Sequence, residues 1–341
     1  MISKWLSTCL IATLFGITPV AAQNIANPAA IQGLKDLQKL DQRLHKIGFR
    51  LTTANAAYCE DTKLRSGLLL HDIAQYGDKA AAKAVHRFET PISIHVVAGI
   101  NGQSIRPGDG LLSINGMDLS ELSIDDPELR KEEPQYRRLS AANRLIDTEL
   151  LNRINYRNSA SLAILVRDNE KLSRQISPSS SCVSQFEIRP DKDRQASADG
   201  HMVTITSSLA SYTSNDDELA AIAAHELAHN LLKHTERLNA QKVNRGFFGQ
   251  FGKSAGRIKG TEIEADRLSV WLMVNAGYDP QAAIRFWTRY GKEHGKGIFS
   301  ASTHYRWKKR VQLFEEELAK MKTMEPVEGK YAPPLLMNIA Q

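Results

Sequence analysis

Five consecutive residues carry the chemistry of a metal ligand set: His225-Glu226-Leu227-Ala228-His229. On a helix, residues four apart lie on one face. Both imidazoles can therefore grip one cation, while Glu226 stands beside them to hold a water. That arrangement suits hydrolysis by a metal-activated water. In a chain with ten His, such a spacing arises by chance on the order of one time in a hundred. The surroundings lower the odds further. Leu219, Ala220, Ile222, Ala223, Ala224, Leu227, Ala228, Leu231 and Leu232 make the stretch apolar nearly all round, the pattern of a buried helix. At about 100° per residue, His225, Glu226, His229 and Asn230 fall within one arc of about 140°. A buried polar cluster costs several kcal/mol unless something compensates. A bound metal with its water compensates; a hydrogen-bonded core cluster is the alternative.

Two imidazoles leave a hydrolytic site short of a ligand, because zinc in such sites takes three protein ligands and a water. Glu262-Ile263-Glu264-Ala265-Asp266 lies within the next helical stretch, 261–276. Asp266 sits one turn after Glu262 on the same face, whereas Glu264 points about 200° away. Glu262 is the expected third ligand, Glu264 is expected to face solvent, and Asp266 is placed to accept a hydrogen bond from a ligand His and fix its tautomer. A capping or salt-bridge role is the alternative for Asp266. Zinc, one per chain, follows from the ligand types, although other divalent ions can occupy such sites. His234 is expected at the surface, and His71, His86, His95 and His201 show no ligand spacing.

Ala224 to His229 together with Glu262-Ile263-Glu264-Ala265-Asp266-Arg267 resembles the CAAX-prenyl-protease-like metallopeptidases, which are gluzincins. Ala276-Gly277-Tyr278-Asp279-Pro280, Phe286-Trp287 and the Thr303-His304 pair with Arg310 extend the likeness over about residues 200–318, with Tyr305 where the family usually has Pro. The resemblance implies a zinc endopeptidase with Glu226 as general base, His225, His229 and Glu262 as ligands, and Asp266 behind His225. Its soluble bacterial members work in periplasmic quality control, which implies polypeptide substrates and association with envelope proteins. A peptide-binding, chaperone-like module with minor proteolysis is the other functional reading. His304 and Arg310 can line the cleft and stabilise an oxyanion. His304 can instead latch the open metal position, or the two can be an ordinary surface His and Arg.

These residues need elements to position them, and the chain divides accordingly. Lys4 followed by an apolar run from Leu10 to Val20 and Val20-Ala21-Ala22 reads as a signal peptide over 1–22, hence an exported protein, with the periplasm as the compartment that the family resemblance implies. No later stretch is long and apolar enough to span a bilayer. An N-terminal helical segment covers 23–58, with Leu34, Leu37, Leu40, Leu44 and Ile47 at helical spacing. Residues 59–182 read as mixed α/β, with strands at Ile92 to Val96, Leu111 to Ile114, Leu162 to Val166 and Leu172 to Ile176, and a helix over 138–155. Ile105 to Gly116, with its Pro107-Gly108-Asp109-Gly110 and Asn115-Gly116 turns, resembles a PDZ domain, which implies capture of an extended peptide. Residues 183–325 form the metallopeptidase domain, with the strand Met202 to Ile205 expected to offer an edge to substrate and 236–258 read as a loop. Residues 326–341 read as an extended tail.

The expected fold class is α+β, a PDZ-like domain followed by a mainly helical zincin domain with a small sheet. The formal charge of +6 is spread along the chain without a basic arm, which argues against nucleic acid as a partner. Cys59 and Cys182 remain after signal removal. In an oxidising compartment an even pair favours a disulfide, with two buried thiols as the alternative.

Overall fold

The computed structural model describes residues 27–73, 76–87, 94–99, 104–119, 161–243, 252–294 and 307–337. The signal segment, the helix expected over 138–155 and His304 lie outside them.

Helix α1, Pro28–Ala54, starts where Asn27 caps it: its side chain accepts from the Ala29 amide at 2.9 Å, and Pro28 supplies a helical φ at the first position. Its apolar stripe buries Leu44, Ile47 and Leu51. This helix packs on both halves of the molecule. Gln42 donates to the Val97 carbonyl at 2.8 Å on one side. On the other, Gly48 lies so close to Phe186 that a Cβ would sit 2.3 Å from its ring. Overpacking of that kind costs about 1 to 3 kcal/mol, which accounts for a glycine in mid-helix.

The first sheet runs β2-β3-β4-β6-β7, with β5 paired to β4, every pairing antiparallel. Its strands are β2 Leu69–Asp72, β3 Ile94–Ala98, β4 Gly110–Ile114, β5 Met117–Asp118, β6 Ser161–Arg167 and β7 Glu170–Ile176. Asn115-Gly116 and Asp168-Asn169 turn at positive φ (50° and 79°, 50° and 65°), the backbone that two-residue hairpins require. Asp109, in the Pro-Gly-Asp-Gly turn, accepts from Arg167 at 2.6 Å and ties the turn to β6. Helix α2, Lys79–His86, packs on α1 and β3. Outside this sheet, β1 Thr62–Arg65 pairs with β8 Ser179–Cys182.

The second sheet has the order β10-β11-β9: Ala196–Ala198, Met202–Thr206 and Gln185–Arg189. The strand expected as a substrate edge, β11, is its centre. It pairs in parallel with β9 and antiparallel with β10, and all five residues are buried. The edge strands are β9 and β10, and the three small residues of β10 carry no strand signal of their own.

The helices that follow are α3 Ser207–Tyr212, α4 Asp216–Leu231, α5 His234–Ala240, α6 Gly252–Asn275, α7 Gln281–His294, α8 Trp307–Met321 and α9 Pro334–Met337. Two of them replace parts of the loop expected over 236–258, since α5 from Glu236 on and the start of α6 fall inside it. The burial of His234 and Leu238 one turn apart supplies what local periodicity lacked. The tail expected to be extended carries α9, whose Leu336 is buried. Helix α6 ends where Gly277 takes φ +69°, a helix-terminating conformation that glycine adopts without strain.

Cys59 and Cys182, 123 positions apart in sequence, are joined, with Cα atoms 5.6 Å apart. The bridge fixes the end of α1 to β8. Closing so long a loop restricts the unfolded chain, so the Cys59→Ser/Cys182→Ser variant should lose about 2 to 5 kcal/mol of unfolding free energy. Denaturant titration checks this, and an unchanged midpoint in the variant and in reductant would contradict it.

Candidate metal centre

Helix α4 begins at an Asn215 cap, whose side chain accepts from the Glu218 amide at 2.9 Å. Glu218 accepts from the Ser214 amide at 2.7 Å and is gripped by Arg289 of α7 at 2.7 Å through both Nη1 and Nη2. Asp216, Asp217 and Glu218 in the first turn complement the helix dipole. Near the other end, Asn230 donates to Ser184 at 2.9 Å and accepts from the Gly200 amide at 2.7 Å. The helix is thus held at both ends, against α7 and against the β10–β11 turn.

This frame brings His225, His229 and Glu262 together. The Nε2 atoms of His225 and His229 are 3.2 Å apart. Glu262 Oε2 lies 3.4 Å from His225 Nε2, and Oε1 lies 3.5 Å from His229 Nε2. Tetrahedral zinc with bonds of about 2.0 to 2.2 Å keeps its ligand atoms about 3.3 to 3.6 Å apart, so the three donors fit one ion. Among the described residues, this is the one group of His, Cys, Asp and Glu assembled closely enough to hold a metal. Glu226 is half-buried on the same helix.

Asp266, fully buried, lies 2.9 Å from His225 Nδ1. Arg310 of α8 donates through Nε to both of its oxygens at 2.9 Å, and a second contact joins Nη2 to Oδ1. The same Nη2 is 3.0 Å from His225 Nδ1. With Asp266 as the acceptor both share, these are two donors converging on one carboxylate. Arg310 is 5% exposed and its guanidinium carbon stands 3.7 Å from the Trp287 ring centroid, a cation–π contact. Its guanidinium is thus buried against His225, with Nη2 within reach of both ring nitrogens, 3.0 Å from Nδ1 and 3.3 Å from Nε2.

Two residues depart from expectation on the other side. His234, expected at the surface, is 2% exposed. Its Nδ1 is 2.9 Å from His229 Nδ1 and its Nε2 is 2.9 Å from Glu264 Oε2. Glu264, expected to face solvent, is half-buried and also takes Arg237 Nη1 at 2.6 Å. Neither contact is readable from helical spacing, because α4 stops and Lys233 takes a left-handed φ of 52° before the chain resumes as α5.

Burial raises Asp266, but the Arg310 charge and the His225 bond more than reverse that and hold it below its usual range. Burial and Arg310 push His225 down, and its bonds to Asp266 and Glu262 outweigh them, raising it to about 9. Burial, then the neighbouring His225, drives His229 down to about 3. Glu264 is lowered to about 2, first by its bond to His234 and then, against burial, by Arg237.

Residues 184–260 match the model of peptidase family M48. The match ends before Glu262, so that residue rests on geometry. The chain is 30% identical over 140 residues to the mitochondrial metalloendopeptidase OMA1 of Schizosaccharomyces pombe, covering 35% of this chain and 42% of that one. It is 30% identical over 115 residues to the beta-barrel assembly-enhancing protease of Yersinia pestis, covering 26% and 24%. The OMA1 of Saccharomyces cerevisiae is 28% identical over 146 residues, covering 36% and 42%. The chain spans less than half the length of each of these relatives. Together with the His-His-Glu group, these similarities support a zinc metallopeptidase family.

A ligand must be deprotonated to bind metal, and His225 holds its second proton up to about pH 9. Zinc uptake by the metal-free protein should therefore displace one proton. Apparent affinity should rise about tenfold per pH unit from about pH 6 to 8, read by chelator competition at several pH values. A flat profile would contradict it.

Proposed function

We propose that this chain is a gluzincin-type zinc endopeptidase that hydrolyses peptide bonds of exported, misfolded or envelope proteins. The observation that carries this reading is the triangle of donor atoms at 3.2, 3.4 and 3.5 Å on a helix whose next side chain after His225 is a carboxylate. His225, His229 and Glu262 would hold the metal. When bound, zinc supplies Lewis acidity to a water and to the scissile carbonyl. Glu226 takes a proton from the attacking water at its carboxylate and returns it to the leaving amine. Asp266 keeps the His225 Nδ1 proton in place, and Arg310 keeps Asp266 ionised.

Export to an oxidising compartment such as the periplasm is supported by the apolar N-terminal run and by the Cys59–Cys182 bridge. The name of the Yersinia relative, a β-barrel assembly-enhancing protease, supports envelope proteins as the substrate class. The PDZ-like reading of 59–182 adds capture of an extended peptide, with the antiparallel sheet and its Asn-Gly and Asp-Asn hairpins in support.

Substrate alignment falls to the open edge at β10, which packs on α4. Antiparallel pairing that turns Ser197 toward Thr204 of β11 leaves Ala196 and Ala198 with outward backbone groups. Proline at position 198 would remove one outward amide at an edge that tolerates it. The Ala198→Pro variant should lose about tenfold or more in kcat/KM on unfolded casein, with zinc content unchanged; equal turnover would sink the edge assignment.

The test of the activity itself pairs metal analysis with casein digestion. Wild type should carry one zinc and digest casein. The Glu226→Gln variant should keep the zinc and lose about 10²- to 10⁴-fold in kcat. Digestion that survives this substitution would overturn the mechanism.

A further inference from the structure

Each ligand imidazole has a group behind it, and the two groups differ. His225 Nδ1 faces a carboxylate, Asp266. His229 Nδ1 faces another imidazole nitrogen, His234 Nδ1, at 2.9 Å. Two ring nitrogens at that separation bond when one carries a proton and the other a lone pair. The far side of His234 decides which. Its Nε2 is 2.9 Å from Glu264 Oε2, and an ionised carboxylate only accepts, so Nε2 carries the proton. A neutral imidazole has one such proton, which leaves Nδ1 of His234 as the acceptor. The proton between the rings therefore belongs to His229 Nδ1. The lone pair of His229 then falls on Nε2, the atom 3.2 Å from His225 Nε2 and 3.5 Å from Glu262 Oε1.

Arg237 fixes the outer end, with Nη1 at 2.6 Å and Nη2 at 3.3 Å from the two Glu264 oxygens. The backbone supplies the rest. Had α4 continued, position 234 would lie about 140° around the helix from His229. Instead Lys233 takes φ 52°, its ammonium is held by Glu60 at 2.9 Å, and His234 opens α5 against His229.

We propose that His234, carried by Glu264 and Arg237, is a positioning residue of the metal centre that sets the tautomer and ring plane of His229 so that its Nε2 faces the ion. This rests on the zinc reading above. Ligand imidazoles usually lean on a carboxylate, a carbonyl or a water. Here a second imidazole stands between the ligand and the carboxylate and carries the carboxylate's polarity inward.

The test is zinc affinity of the full chain by chelator competition, together with the visible spectrum of the cobalt(II)-loaded protein, for wild type and three variants. The His234→Ala variant removes the acceptor and should bind zinc about 10- to 100-fold more weakly, with altered cobalt bands. In the His234→Asn variant, Oδ1 takes the place of Nδ1, so affinity and bands should return most of the way. In the His234→Gln variant, the amide sits at the Nε2 end, within reach of Glu264 but not of His229, and affinity should stay low. Should the Ala variant not fold, the two amides decide. Asn binding zinc at least tenfold more tightly than Gln supports positioning through Nδ1, and equal affinities overturn it. A folded Ala variant within twofold of wild type also overturns it and leaves the zinc reading standing. A wild type that takes up no zinc overturns both.

Discussion

The structure turns on the convergence of two imidazole nitrogens and a carboxylate at the crossing of α4 and α6. Lone pairs so close together repel one another, and burial removes the water that would screen them. A shared cation, or a proton standing in for it, resolves the conflict. The two imidazoles are displaced in opposite directions, His225 raised to about 9 by its carboxylate partners and His229 lowered to about 3 by burial and then by His225. One ring holds a proton between two carboxylates, and the other is left neutral beside it.

Holding such a cluster requires rigidity around it, and the fold supplies it by several routes. The Asn215 cap with the Glu218–Arg289 pair secures the start of α4. The Asn230 bonds secure its end. Arg267 and Trp271 of α6 both donate to the buried Glu317 of α8, at 2.6 and 2.9 Å, and α8 carries Arg310 to Asp266. Helix α1 lies across α4, β9 and the first sheet, so the N-terminal segment is a brace shared by both halves. Polar groups this deep are tolerable because nearly every one has a partner of opposite charge or complementary hydrogen-bonding role.

Much of this was legible in the sequence, because it rests on local periodicity. The spacing of His225 and His229, the shared face of Glu262 and Asp266, the end of α6 at Gly277, and the hairpins at Asn115-Gly116 and Asp168-Asn169 all follow from helix and turn geometry. What was not legible depends on contacts distant in sequence or on departures from regular backbone. The left-handed Lys233 redirects His234 in a way that helical projection cannot anticipate. Glu264 is drawn inward by the buried His234, 30 positions before it in sequence. Arg310 is held against Asp266 and His225 by contacts across 44 and 85 positions of sequence. The β10 strand, three small residues, exists because β11 pairs with it, and its presence puts β11 at the centre of the sheet.

The coordination of the ion is the most direct point of judgement. X-ray absorption at the zinc edge of the loaded protein should show four nitrogen or oxygen neighbours at about 2.0 to 2.2 Å, two of them imidazoles by their outer-shell scattering. A spectrum with a single imidazole, or with sulfur in the first shell, would contradict the assembly of His225, His229 and Glu262 around one metal.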